Sequence, residues 1–312
     1  MKPFAFVFPG QGSQSVGMLD AWGDHPAVRQ TLAEASQALG EDMGRLIREG
    51  PKEQLDLTTN TQPVMLTAGV ACYRAWRAEG GDEPSAVAGH SLGEYSALVA
   101  AGALALADAL PLVRFRAQAM QTAVPVGQGA MAAILGLDAA AVVEGCARAA
   151  AESGAVVGAA NFNDPKQTVI SGSKAGVDKA CEVLKAMGAK RAMTLPVSAP
   201  FHCALMRPAA DALKQRLASV AFVAPRMPVI NNVDVAAPGE PQAIRDALYR
   251  QAYGPVRWVE VIQALRARGL AHVVECGPGK VLAGMTKRID AELVGAVMAD
   301  PASLAETKAV LA

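Results

Sequence analysis

Ser85-Ala86-Val87-Ala88-Gly89-His90-Ser91-Leu92-Gly93-Glu94-Tyr95-Ser96-Ala97-Leu98-Val99-Ala100-Ala101 is the stretch on which the fold turns. Residues 85–89 form a short apolar run with the length and composition of a buried strand, and Glu94–Ala101 continues as a helix. Between them Gly89-His90-Ser91-Leu92-Gly93 matches G-x-S-x-G, a tight strand-to-helix turn that lifts a serine hydroxyl to the edge of a sheet. Glycine is needed at both ends because such a turn brings backbone too close for a side chain. As a bare pattern it is common, and an ordinary glycine-rich βα turn would look the same. The strand before it and the helix after it are what favour a nucleophile elbow.

Outward from the elbow, strands and helices alternate. Pro3-Phe4-Ala5-Phe6-Val7-Phe8 is an apolar run closed by Pro9-Gly10, which suits a buried parallel strand. Pro63 to Arg77 has helical spacing in Val64, Ala68, Ala71, Cys72 and Ala75. Another helix is expected from an Asp108 N-cap to Thr122, with Pro111 in its first turn. Met227–Asn231 reads as a strand, Val256–Arg266 as an amphipathic helix with Trp258, Val259, Ile262 and Leu265, and His272–Glu275 as a last core strand. Cys276-Gly277-Pro278-Gly279 then turns the chain into a helix near Lys280. Residues 130–196 break this rhythm with the order β-α-β-β-α-β, the split βαβ pattern of a ferredoxin-like unit. The expected organisation is therefore a large α/β domain of residues 1–127 and 198–312 with a mostly parallel sheet, and an inserted subdomain of residues 128–197.

Composition narrows the function. Hydrophobic residues make up 52% of the 312 and charged ones 19%, enough for a sizeable core. Lysine plus arginine equals aspartate plus glutamate at 29 each, so the basic excess of a nucleic-acid binder is missing. No stretch of membrane-spanning length is free of Gly, Pro or charge, and the opening apolar run is too short for a signal peptide. Cys72, Cys146, Cys181, Cys203 and Cys276 are odd in number, scattered and without a C-x-x-C pair. Neither a disulfide framework nor a zinc site is supported, and small thiols in a reducing cytoplasm are the simpler reading.

A serine nucleophile needs a base, and the chain has only His25, His90, His202 and His272. His90 adjoins the nucleophile and leaves the elbow in a different direction. His25 lies in a polar segment and His272 opens a strand. His202, in Pro200-Phe201-His202-Cys203-Ala204, sits where the chain re-enters the large domain and is the best of the four by elimination and position. Phe8-Pro9-Gly10-Gln11-Gly12-Ser13-Gln14 follows the first strand but has Ser15 where a dinucleotide fingerprint needs its third glycine. The backbone N–H of Gln11 is open to two readings, an oxyanion donor or part of a plain turn.

With these residues in view, the chain resembles the malonyl-CoA:acyl carrier protein transacylases of fatty-acid synthesis, and also the acyltransferase domains of polyketide synthases. The resemblance runs over nearly the whole chain. It rests on the Phe8–Gln14 segment, Gly89-His90-Ser91-Leu92-Gly93-Glu94-Tyr95, Arg116, Gly129-Ala130-Met131-Ala132-Ala133 and Asn161-Phe162-Asn163. His202-Cys203-Ala204-Leu205-Met206, Arg250-Gln251 and Gly277-Pro278-Gly279-Lys280-Val281-Leu282 complete it in the same order. It implies an α/β-hydrolase-like large domain with the ferredoxin-like insert, and transfer of malonyl from malonyl-CoA to the phosphopantetheine thiol of an acyl carrier protein. No cofactor or metal is implied beyond the coenzyme A thioester itself, which is a substrate.

The resemblance also implies roles. Ser91 is the nucleophile, His202 its base, and the backbone carbonyl of Gln251 orients the imidazole. The N–H groups of Gln11 and Leu92 form the oxyanion hole. Arg116, which otherwise passes for a snorkelling surface arginine, clamps the malonyl carboxylate with two parallel hydrogen bonds. Phe201 stands where many stand-alone bacterial transacylases carry serine; malonyl-selective polyketide acyltransferases often carry phenylalanine there. The substrate thus leans to malonyl, with fatty-acid and polyketide pathways both open. A carrier protein is acidic, and Lys190, Arg191, Lys287 and Arg288 are the candidate docking charges, although a charged face is usually just solvated. The rival functions are a thioesterase or other serine hydrolase, and a non-catalytic carrier-binding protein.

Overall fold

The first strand explains why two layers of helices enclose one sheet. In a computed structural model describing residues 1–312, β1 (Phe4–Phe8) is buried at every position. Its two faces meet different partners. Phe4, Phe6 and Phe8 point into the larger core, where Phe4 and Phe6 meet Trp76 edge-on with ring centroids 5.8 and 5.5 Å away. Trp76 belongs to the long helix Thr58–Ala78. Ala5 and Val7 face a second core with Trp258, Val261, Ile262 and Leu265 of the helix Trp258–Ala267. Burial on both faces is why this strand reads as a continuous apolar run.

The remaining strands are β2 (Ala86–Gly89), β3 (Gly129–Leu135), β4 (Val157–Asp164), β5 (Gln167–Ser173), β6 (Arg191–Thr194), β7 (Val229–Ile230), β8 (His272–Cys276) and β9 (Val294–Met298). The main sheet has the order β7-β2-β1-β8-β9, and every pairing in it is parallel. An α/β fold with a parallel sheet is thus what the molecule has. His272–Glu275 is not the last core strand, however. Val294-Gly295-Ala296-Val297-Met298 pairs beyond it, from His272↔Val294 to Cys276↔Met298. This edge strand carries a glycine and is only partly covered over most of its length, so its apolar signal is weak.

The second sheet, β4-β5-β3-β6, is antiparallel throughout and has the ferredoxin-like strand order. Helices Ala139–Ser153 and Lys174–Ala186 cover one face through Ile134, Val142, Cys146, Ile170, Val177 and Leu184. The other face presents Met131, Ala133, Ala160 and Val169 to Leu195, Val197 and Phe201. That open face roofs the site described below.

The helix expected from Asp108 begins earlier, at Leu106, with Ala105 as its N-cap in extended conformation. Asp108 is then a first-turn acid, favourable near the positive end of the helix, and Pro111 lies inside the helix instead of in its first turn. No helix is long and apolar enough to cross a membrane.

Candidate active site

β1 and β2 are parallel neighbours with Phe8 opposite Gly89, so the loops leaving their C-terminal ends lie side by side. The Phe8 carbonyl accepts the His90 N–H at 3.0 Å, tying the elbow to the first loop. A Cβ on Gly89 would stand 1.9 Å from the Gly93 carbonyl carbon, and one on Gly93 would stand 2.1 Å from the Phe8 oxygen. Only glycine fits either position. Ser91, between them, has φ +52°, a left-handed conformation that a serine adopts under strain. Asn232, just past β7, holds that turn on both sides. Its Oδ1 accepts the Ser91 N–H at 2.7 Å, and its Nδ2 donates to the Gly89 carbonyl at 2.7 Å.

Ser91 Oγ and His202 Nε2 are 2.6 Å apart. His202 also has a positive φ, 58°, and is buried. Its Nδ1 lies 2.9 Å from the Gln251 carbonyl oxygen and 3.2 Å from that of Gly254. Two carbonyls can only accept, so Nδ1 carries the proton and Nε2 is left as the acceptor facing the serine. Burial, and then the nearby Arg116 cation, push the imidazole down to about 3. At neutral pH it is an uncharged base.

Arg116 reaches the same point from the helix Leu106–Thr122 and is 2% exposed. Nη1 donates to Gln62 Oε1 at 2.8 Å; Nη2 donates to Gln251 Oε1 at 3.0 Å and to Ser91 Oγ at 3.3 Å; Nε has no partner. All of its acceptors are neutral, and it forms no ion pair. A buried guanidinium 3.3 Å from a candidate nucleophile, with no carboxylate in contact, has the chemistry to receive an anionic group.

A cavity of about 750 Å³ opens over these groups and is lined in part by Gln11, Ser91, Leu92, Arg116, Phe201 and His202. The backbone N–H groups of Gln11 and Leu92 donate to no acceptor within the protein and are free for a ligand. Phe201 is half-buried against Met131, Ala133 and Val169 of the roof. No group of three or more His, Cys, Asp or Glu side chains is assembled in a way that could hold a metal ion.

The other histidines stand apart. His90 is turned away from the serine, its Nε2 2.9 Å from Asn163 Oδ1 and its ring 5.4 Å from that of Trp258. His25 pairs with Glu79, and His272 begins β8. The candidate docking charges Lys190, Arg191, Lys287 and Arg288 are all exposed, and Arg288 Nε lies 2.7 Å from Asp164 Oδ2. Sequence reading missed Gln62, Asn232 and the side chain of Gln251. Asn231-Asn232 after a strand was a usable signal, because the C-terminal ends of parallel strands collect polar site residues. Gln62, one of five successive polar residues that open its helix, offered none.

Residues 5–303 match the family described as acyl transferase domain. The chain is 54% identical over 306 residues to the malonyl CoA-acyl carrier protein transacylase of Escherichia coli strain K12, covering 98% of each. Among solved structures it is similar to an acyl-carrier-protein S-malonyltransferase from Burkholderia pseudomallei 1710b, with TM-score 0.96, 66% identity, and 98% and 99% of the two chains covered. It is also similar to a malonyl-transacylase in complex with a type II PKS acyl-carrier protein, with TM-score 0.95, 50% identity, and 97% and 98% covered.

Proposed function

The chain belongs to the acyl transferase family, among the malonyl CoA-acyl carrier protein transacylases, and we propose that it moves malonyl from coenzyme A to a carrier-protein thiol through an ester on Ser91. On this reading residues 1–127 and 198–312 are the catalytic domain and residues 128–197 the roof over its cleft.

Ser91 Oγ attacks the thioester carbonyl of malonyl-CoA while His202 Nε2 takes its proton. The C=O becomes an oxyanion between the N–H groups of Gln11 and Leu92. The C–S bond then breaks, coenzyme A leaves as a thiol with the proton returned by His202, and malonyl remains as the Ser91 ester. The phosphopantetheine thiol of the carrier enters, gives its proton to Nε2 and attacks the ester, and Ser91 leaves with that proton. Thioester is exchanged for ester and ester for thioester, so the energy is nearly balanced and neither a cofactor nor a metal is called for. The Gln251 carbonyl keeps the imidazole in the required tautomer throughout.

The observation that carries the malonyl assignment is the buried Arg116 guanidinium with only neutral partners. Phe201, against the roof, would crowd a methyl branch next to the carboxylate. The cytoplasmic fatty-acid pathway is the reading we favour. The solved complex with a type II PKS carrier supports a polyketide carrier as the second. Intact mass after mixing with malonyl-CoA tests the proposal: a malonyl adduct is expected on the wild type and none on Ser91→Ala. An adduct on the alanine variant would place the covalent residue elsewhere.

A further inference from the structure

Glu94 is the second residue of the helix Gly93–Ala100, 2% exposed, and forms no ion pair. Its Oε2 accepts two hydrogen bonds, from the Asn232 backbone N–H at 2.9 Å and from Gln251 Nε2 at 3.1 Å. Both donors belong to residues that touch the reacting groups. Asn232 grips the backbone on either side of Ser91, at 2.7 Å to the Ser91 N–H and 2.7 Å to the Gly89 carbonyl. Gln251 uses every part of its amide: Nε2 also donates to the Ser91 carbonyl at 2.9 Å, and Oε1 receives Arg116 Nη2 at 3.0 Å. Its main-chain carbonyl receives His202 Nδ1.

The orientation of that amide matters. An amide is nearly symmetric in shape, and its two ends differ only in donating or accepting. With the NH₂ end held by acceptors, the carbonyl end faces Arg116; reversed, NH₂ would oppose a guanidinium and the clamp would lose its rest. We propose that Glu94 is the positioning residue of this site, a buried acceptor that fixes Asn232 and Gln251 and through them sets Ser91, His202 and Arg116 at once. It acts by the reach of its oxygen, not by its charge. This rests on the proposed malonyl transfer. Burial raises the carboxyl to about 7, which fits a group that serves as an acceptor whether or not it is ionised.

Three variants separate reach from charge. Glu94→Gln keeps an oxygen at the same distance without charge; Glu94→Asp keeps the charge and withdraws it by a methylene; Glu94→Ala removes both. Purified full-length proteins are assayed for kcat and KM with malonyl-CoA and with acetyl-CoA, alongside the intact-mass adduct. Glu94→Gln is expected to stay within about threefold of wild type in all four constants. Glu94→Asp and Glu94→Ala should lose about tenfold or more in malonyl kcat and in the malonyl-to-acetyl ratio of kcat/KM, because a misaimed Arg116 affects only the charged substrate. Should the alanine variant fail to fold, the Gln and Asp pair decides alone. Glu94→Asp at wild-type level with Glu94→Gln impaired would overturn the proposal in favour of a charge effect. An equal loss for both substrates would reduce Glu94 to a structural residue and overturn it as well. A wild type that takes up no malonyl would instead remove the proposed function beneath it.

Discussion

Arg116→Ala tests the group proposed to separate a malonyl from an acetyl substrate. In the free protein the guanidinium is 2% exposed and rests on two glutamine oxygens, at 2.8 and 3.0 Å. A malonyl carboxylate arriving there gains two charge-assisted bonds in a water-poor cleft. Breaking a buried charged pair costs about 3–5 kcal/mol. At about 1.4 kcal/mol per decade, malonyl kcat/KM should fall by roughly 10²- to 4 × 10³-fold. Acetyl-CoA offers no carboxylate and leaves the wild-type cation buried with only its neutral glutamine partners, so its kcat/KM should hold or rise in the variant. The ratio of the two therefore collapses by about two decades or more, mostly on the malonyl side. Arg116→Lys should recover only part of it, since an ammonium cannot present two parallel donors. Each substrate is assayed by single-turnover acylation and by steady-state transfer to a carrier or a free pantetheine thiol. Stability is followed separately, because Gln62 and Gln251 lose a donor. An Arg116→Ala protein with an unchanged malonyl-to-acetyl ratio would refute the clamp.

The base and the roof are open to test as well. His202→Ala should slow Ser91 acylation by about 10²–10⁴-fold with the fold kept, and by more than His90→Ala does, as read by quenched-flow mass spectrometry. Since the His202 pKa lies near 3, below the ordinary 6.5, acylation kcat/KM should show no histidine limb between pH 5 and 8. The same depression makes the group a source of acid lability. The unfolded imidazole takes up a proton below pH 6.5 while the folded one stays neutral, so stability from this residue falls by roughly 1.4 kcal/mol per pH unit down to about 3. A denaturant series on His202→Ala, compared with wild type at pH 5 and 7, should show part of that slope removed. Phe201→Ser should raise methylmalonyl transfer relative to malonyl, measured by competition between the two thioesters; an unchanged product ratio would clear the ring of that role.

The features legible in the sequence are those that the local backbone constrains. Gly89 and Gly93 are required by contacts with residues a few positions away and with the adjoining strand, so their pattern is local and visible. β1 is legible because both of its faces are buried, and the inserted unit because its six elements follow one another without interruption. β9 escapes notice because an edge strand needs less apolar character than a central one. Arg116 lies on a helix whose sequence does not distinguish a buried arginine from an exposed one, and only family resemblance singles it out. Asn232, Gln62 and Glu94 acquire their roles from neighbours brought together by the tertiary fold, such as the 138-residue separation between Glu94 and the Asn232 N–H.

The placement of β1 sets the order in which a growing chain can be completed. Phe4-Ala5-Phe6-Val7-Phe8 pairs on one side with residues 86–89 and on the other with residues 272–276. While the polypeptide is being synthesised, its most hydrophobic strand therefore has one open side until the last eighth of the chain has emerged. The inserted unit, whose strand-to-strand pairings fall between residues 129 and 194 apart from one bridge of Asn161 to Val256, needs far less of the chain and can close early. Ser91 meanwhile lacks Asn232 and Gln251, so a nascent chain presents the elbow without its supports. Such an unpaired, aromatic, uncharged strand is a template for pairing with other chains, and that makes the first eight residues the point at which slow synthesis or a truncated C-terminus turns into aggregation.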